Sequence, residues 1–422
     1  MSQSSFVLEN VLWHDAAHDL HVENGAVKEL VPAGSVASDA KKIDGKGMLL
    51  LPALTDVHTH LREPGQEWKE DIASGLTAAA HGGFANIMCM ANTNPVNHTA
   101  AVTTLMLDKA RKAFPDGGPR LFPIGALTMD LAGKDLAPMG ELVEAGCKAI
   151  SNDGQPVENN ELFRRALEYA ADCGERVIDH CEDPHMTIGA GINEGVVSSR
   201  LGLKGQSTCA EAIQVARDVI LSEYLKIPVH LAHISCRESL EIIRSAKERG
   251  VQITAETCPH YLTLTEEATA EYDTNAKVNP PLRTQDDVDA MREAVRTGVI
   301  DMLATDHAPH AAHEKEHPFM QAPNGITGLD TALPVTMKLV EDGILSIDDL
   351  IRLWCTAPAK TFGLPCNTFA PGDPADFILY DPKEFWVVSE ETLYSKGKNT
   401  PLLGTTMLGR CAALYVGGHS VI

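Results

Sequence analysis

Apolar and polar positions follow two rhythms along this chain. Up to residue 52, short stretches such as residues 6–12 and 26–31 alternate apolar and polar side chains. A period of two sends successive side chains to opposite faces of a strand. Gly25 and Ala33-Gly34 punctuate these stretches as turns do. Residues 376–381 and 412–417 have the same texture. Strands at both ends can pair into one satellite domain, a small β-sandwich of residues 1–52 and 367–422, with the rest of the chain inserted between them.

Residues 53–366 read differently. Apolar runs predict strands near residues 50–57, 85–90, 121–127, 147–151, 176–180, 229–233, 252–257 and 301–305. Between them lie runs of helical period, such as 161–170 and 239–247. Eight βα units match an α/β fold of the (β/α)8 TIM-barrel type. A doubly wound open sheet is the alternative. No Gly-x-Gly-x-x-Gly follows the first strand, so its dinucleotide-binding version loses support.

Composition narrows the classes of function. A hydrophobic content of 44% and a charged content of 22% over 422 residues are those of an ordinary globular protein. The net charge of -23 argues against nonspecific nucleic-acid or anionic-membrane partners, which require a basic patch. Ten scattered cysteines without a Cys-x-x-Cys pair read as free thiols of a cytoplasmic protein. No apolar run reaches the roughly 20 residues of a membrane span, and residues 1–6 do not resemble a secretory signal.

The chemistry sits at the strand ends, where barrel enzymes build their sites. The first strand ends in Asp56-Val57-His58-Thr59-His60, two imidazoles at a spacing that points both to one side. The fourth ends in Asn152-Asp153-Gly154, the fifth in Asp179-His180, the sixth in Ala232-His233, the eighth in Thr305-Asp306. Singly, each has a plain structural use, as a turn residue or a helix cap. Together, four imidazoles and two carboxylates on one rim can hold two divalent ions with a carboxylate bridge, and this donor set suits Zn²⁺.

The run His58-Thr59-His60-Leu61-Arg62-Glu63-Pro64-Gly65 resembles the signature of the cyclic amidohydrolases in the amidohydrolase superfamily. Gln66-Glu67-Trp68-Lys69-Glu70-Asp71, Met90-Ala91-Asn92-Thr93-Asn94-Pro95, Ala304-Thr305-Asp306-His307-Ala308-Pro309-His310 and Ser395-Lys396-Gly397-Lys398-Asn399-Thr400-Pro401 narrow the resemblance to the class I dihydroorotases. It spans nearly the whole chain.

The resemblance implies a zinc-dependent hydrolase that interconverts N-carbamoyl-L-aspartate and L-dihydroorotate in pyrimidine synthesis. His58, His60 and Asp306 would hold the more buried metal, His180 and His233 the second. Asp153 would bridge the two Zn²⁺ ions of each subunit. The hydantoinase relatives use a carboxylated lysine for the bridge, and Lys148 is the rival here, although on an extended strand Lys148 and Asp153 have opposite parity. Asp306 would act as general acid/base toward a metal-activated water. Arg62 would pair with the substrate carboxylate, aided by His60, Asn92 and His310. Asn279 would bond the ring amide, and backbone groups of Asn324 and Gly325 would face the ring. Asn324 stands where the family usually has Phe, and Ala91 where Pro is usual.

Of the remaining histidines, His230 and His307 are expected to point away from the metals, and His260 to lie behind them. A homodimer is the default assembly, with association to an aspartate transcarbamoylase as a further partner. The competing functions are allantoinase, hydantoinase, or a non-catalytic scaffold paralogue.

Overall fold

A computed structural model of the chain describes residues 5–422. Met1–Ser4, part of the segment read above as lacking a secretory signal, lie outside the described residues.

Both ends of the chain meet in one sheet. Its hydrogen-bonded order is His419–Ser420, Thr406–Val416, Phe377–Val387, Leu49–Pro52, Phe6–Trp13, Ala16–Glu23 and Ala26–Pro32, with Lys41–Asp44 also paired to Phe6–Trp13. The two ends join antiparallel, Leu50 opposite Leu379 and Leu51 opposite Ile378. Phe6, Leu8, Leu20, Val22, Phe377 and Tyr415 share one small core. The sequence leads to a sandwich, but the eight strands form a single sheet. The reason lies on its other face. Ile378, Tyr380, Leu414 and Val416 pack into the large core of the central region, so helices of that region take the place of a second sheet.

The strand expected near residues 50–57 splits at Ala53. Leu49–Pro52 belongs to the terminal sheet and Leu54–Thr59 to the central region. The Ala53 N–H bonds Asp376 O, whereas the Leu54 N–H bonds Gly83 O. A continuous apolar run carries no phase, so periodicity does not reveal this break.

The central strands are parallel. Leu54–Thr59, Phe84–Cys89 and Arg120–Pro123 form one sheet. Gly125–Ala126, Ile150–Ser151, Val177–Asp179, Val229–Leu231, Ile253–Thr257 and Met302–Leu303 follow in order in another. Only Ile124 separates the two along the chain. At the far edges Thr59 makes a parallel bridge to His307, and the His60 N–H bonds His307 O at 2.8 Å.

Helices cover the outer faces. In Asn160–Asp172 the Asn159 side chain caps the first turn by accepting from the Glu161 and Leu162 N–H groups. Its Phe163, Ala166, Leu167 and Ala170 face inward at the spacing of a single helical stripe. These residues join Leu54, Ile87, Val177, Leu231, Ile243, Leu303 and Trp354 in one core between strands and helices. On the face of the strands away from these helices, Val57, Met88, Ile124, Ile178, Ala232 and Met302 form an apolar floor with Phe362. The site lies above that floor, at the C-terminal strand ends.

The ten cysteines are free; seven are buried, and Cys209 is exposed. No helix among the described residues is long and apolar enough to cross a membrane.

Candidate active site

Local backbone geometry aims the side chains. The strand Leu54–Thr59 slips by one residue against its neighbour between Asp56 and Thr59. Such a bulge redirects side chains, so simple alternation understates how His58 and His60 reach one centre. Asp56, fully buried, pins this strand end by accepting from the His58 N–H and from the Thr305 N–H and hydroxyl. Arg62, His233 and Asp306 all have positive φ, at 63°, 31° and 47°. In an L residue that conformation costs about 1–2 kcal/mol. The strain falls on three residues that face one cavity.

Six donors converge there. Asp306 Oδ1 lies 3.1 Å from His60 Nε2 and 3.6 Å from His58 Nε2. Asp153 stands between the two halves: Oδ2 is 3.5 Å from His60 Nε2, and Oδ1 is 3.5 Å from His58 Nε2, 3.5 Å from His180 Nδ1 and 3.4 Å from His233 Nε2. Ligands about 2.1 Å from a tetrahedral ion lie about 3.4 Å from one another, so these separations suit shared ions. His58 Nε2 is buried with no hydrogen-bond partner among the described residues, a lone pair aimed at the centre.

Charge favours the same reading. Burial raises the Asp153 carboxyl, but His58 and the hydrogen-bonding His180 and His233 outweigh it and hold Asp153 well below the usual carboxylate range. Burial lowers His58, yet Asp153 and Glu256 lift it well above the ordinary imidazole value. The donors thus demand positive charge at their centre, which a divalent cation supplies.

An oxygen holds the outer nitrogen of three rings. His58 Nδ1 donates to Glu256 Oε1 at 2.7 Å, His60 Nδ1 to Asn92 Oδ1 at 2.9 Å, and His180 Nε2 to Glu182 Oε2 at 3.1 Å. Each such bond leaves the inner nitrogen free to ligate. Glu256 and Glu182 escape the sequence reading. Their signal was a carboxylate within a buried strand and another two residues after a ligand-type histidine, since buried charge requires a partner.

One expectation about direction fails. His230 does not point away; its Nε2 lies 3.0 Å from Glu256 Oε2, beneath the cluster. Alternation along an extended strand would send residues 230 and 233 to opposite faces, but the strand ends at Leu231 and His233 is left-handed. His307 does point away, accepting from the Gly328 N–H. His260 is buried beside Thr305 and Ile326 in a neighbouring cleft, where burial pushes it down to about 4.

The donors open into a cavity of about 200 Å³. Arg62, Asn92, Asn279, His310, Asn324 and Gly325 line it. Arg62 is buried and forms no ion pair with any described residue. Its neighbours are engaged elsewhere: Glu63 binds Lys109, and Glu67 accepts from the Gly65 N–H. The guanidinium Nε donates to Pro309 O at 3.2 Å. Burial, with the cations Arg62 and Lys69 beside it, pushes His310 down to about 2. The neutral ring donates from Nε2 to Asn324 O and accepts at Nδ1 from Lys69.

Asn279 donates to Glu182 at 2.7 Å, which orients its amide at the rim. Gly325 lines the cavity with its N–H committed to Lys277 O, while its carbonyl accepts from Asn399 and keeps a second lone pair. Its φ of +144° and the close approach of Ala308 O leave no room there for a side chain. Lys148 is half-buried, where its charge acts on Glu175. Intact-mass measurement under mild conditions is therefore expected to find no carbon dioxide adduct, and Lys148→Met is expected to retain turnover within about threefold, as a site outside the cluster does.

Comparison with known proteins places this geometry. A dihydroorotase of Geobacter metallireducens is 50% identical over 408 residues, 96% of this chain and 95% of the relative. The chain belongs to the dihydroorotase family. A second dihydroorotase, from Trichlorobacter lovleyi, is 46% identical over 96% of this chain and 95% of the relative. The family model described as dihydro-orotase-like matches residues 47–239, the stretch carrying every donor above except Asp306. In fold this dihydroorotase family member is similar to an L-hydantoinase (dihydropyrimidinase) of Arthrobacter aurescens, with a TM-score of 0.87 at 22% identity over 99% of this chain and 95% of the other. A dihydropyrimidinase of Brevibacillus agri gives 0.80 at 21% identity over the same shares.

Proposed function

We propose that the chain is a dihydroorotase, interconverting N-carbamoyl-L-aspartate and L-dihydroorotate in de novo pyrimidine synthesis. Buried, unpaired Arg62 carries the proposal, because a desolvated guanidinium seeks a carboxylate and this one opens into the cavity that holds the six donors. Allantoin and hydantoin rings bear no such carboxylate.

The donor set suits Zn²⁺, two ions per subunit by family likeness: His58, His60 and Asp306 would hold one and His180 and His233 the other, with Asp153 shared between them. Bound there, such ions supply a polarised amide carbonyl and a more acidic water. The side chains do the rest. Arg62, with Asn92 beside it, holds the exocyclic carboxylate and fixes the ring in the cavity. Asp306 accepts a proton from the attacking water as the new C–O bond forms. It returns that proton to the ring nitrogen as the C–N bond breaks, and ring closure reverses these transfers.

The parallel strands read as a closed (β/α)8 barrel. In support, Ile124 alone separates the two sheets at one seam, and the Thr59 bridge to His307 joins their far edges. Residues 53–366 form that unit, and 1–52 with 367–422 the satellite. A cytoplasmic homodimer, able to associate with a transcarbamoylase, is the assembly proposed on family grounds.

The test is turnover on L-dihydroorotate and on hydantoin, with metal analysis of the purified protein. Turnover of hydantoin alone would overturn the assignment. Removal of metal by a chelator is expected to lower kcat/KM at least 100-fold, with recovery on adding Zn²⁺.

A further inference from the structure

We infer that Glu256 is the positioning residue that joins the two halves of the metal centre, supported from beneath by His230, Thr254 and Arg176. This inference rests on reading the six donors as a metal centre.

Glu256 lies on Ile253–Thr257 and is fully buried. Oε1 is 2.7 Å from His58 Nδ1 and 3.4 Å from the His233 backbone nitrogen. One carboxylate oxygen thus meets a ligand from each half, and His233 is the ligand whose backbone is strained. Oε2 is 3.0 Å from His230 Nε2, and His230 Nδ1 is 2.8 Å from Thr254 Oγ1. Arg176 Nη1 donates to Thr254 Oγ1 at 3.4 Å.

Hydrogen-bond polarity follows from the two ends. An ionised carboxylate only accepts and a guanidinium only donates. Arg176 therefore donates to Thr254, whose hydroxyl oxygen lies 2.8 Å from His230 Nδ1. His230 Nε2–H donates to Glu256. From the other side His58 Nδ1–H donates to the same carboxylate, which leaves the His58 lone pair on Nε2, facing Asp153 and Asp306. No other described oxygen stands within hydrogen-bond distance of His58 Nδ1.

Glu256→Gln offers one oxygen and one NH₂ group to two imidazole donors, so one imidazole loses its acceptor. Cobalt(II) titration of the metal-free protein is expected to show affinity lowered by about 10- to 100-fold, with an altered visible spectrum of the cobalt-loaded form. kcat falls with it. KM for L-dihydroorotate moves by less than about threefold, because Arg62, Asn92 and His310 are untouched. His230→Gln keeps an N–H for Glu256 and stays within about threefold of wild type, whereas His230→Leu loses about tenfold in affinity.

Native cobalt affinity and spectrum in Glu256→Gln would overturn the inference. So would weakened binding accompanied by loss of a cooperative melt in the metal-free variant, which marks a packing role. Wild-type protein that takes up no cobalt would instead overturn the metal reading on which the inference rests.

Discussion

Asp306→Asn is expected to lower kcat on L-dihydroorotate by about 10³- to 10⁴-fold, the upper range of what a positioned general acid/base contributes. Asparagine keeps the size and an oxygen for His60 but cannot take a proton. The two roles proposed for Asp306 separate in the measurement. Metal analysis of the variant reports the lost ligand, and the rate at saturating metal reports the lost base. A variant that turns over at the wild-type rate once saturated with metal would transfer the acid/base role to another group. The left-handed backbone at Asp306 holds the carboxylate over the cavity and does not depend on its charge, so the variant is expected to fold.

Arg62→Met is expected to lower kcat/KM for L-dihydroorotate by about 10²- to 10³-fold, most of it in KM, equivalent to about 3–4 kcal/mol of charge-assisted binding. Arg62→Lys recovers only part of this, since an ammonium cannot offer two parallel N–H groups. Stability gives an independent readout. A buried guanidinium without a counter-ion costs folding free energy, so Arg62→Met is expected to melt no lower than wild type. An unchanged KM would remove Arg62 from substrate binding and return the hydantoin-type substrates to consideration.

How much of this was legible in the sequence depended on distance along the chain. His58, His60 and Arg62 declare themselves within five residues at the end of one strand. Asp153, His180, His233 and Asp306 each follow an apolar run, so their convergence needs only the rule that strand ends face one rim. Glu256 is different. A carboxylate within a buried strand signals that a partner exists, but that partner, His58, lies 198 residues away and nothing local names it. His230 was misread because parity holds only while a strand stays extended. The break at Ala53 was hidden by an apolar run that serves two layers in succession.

That break also sets a timetable for synthesis. Leu49–Pro52 emerges early, yet the strand that covers its edge, Phe377–Val387, follows more than three hundred residues later. At about 5–20 residues per second, the ribosome takes roughly 16–65 s to deliver it. For that interval the nascent chain carries an apolar strand with one open edge, the kind of edge that recruits a neighbouring chain. The edge closes only with a strand translated after the whole of the central region.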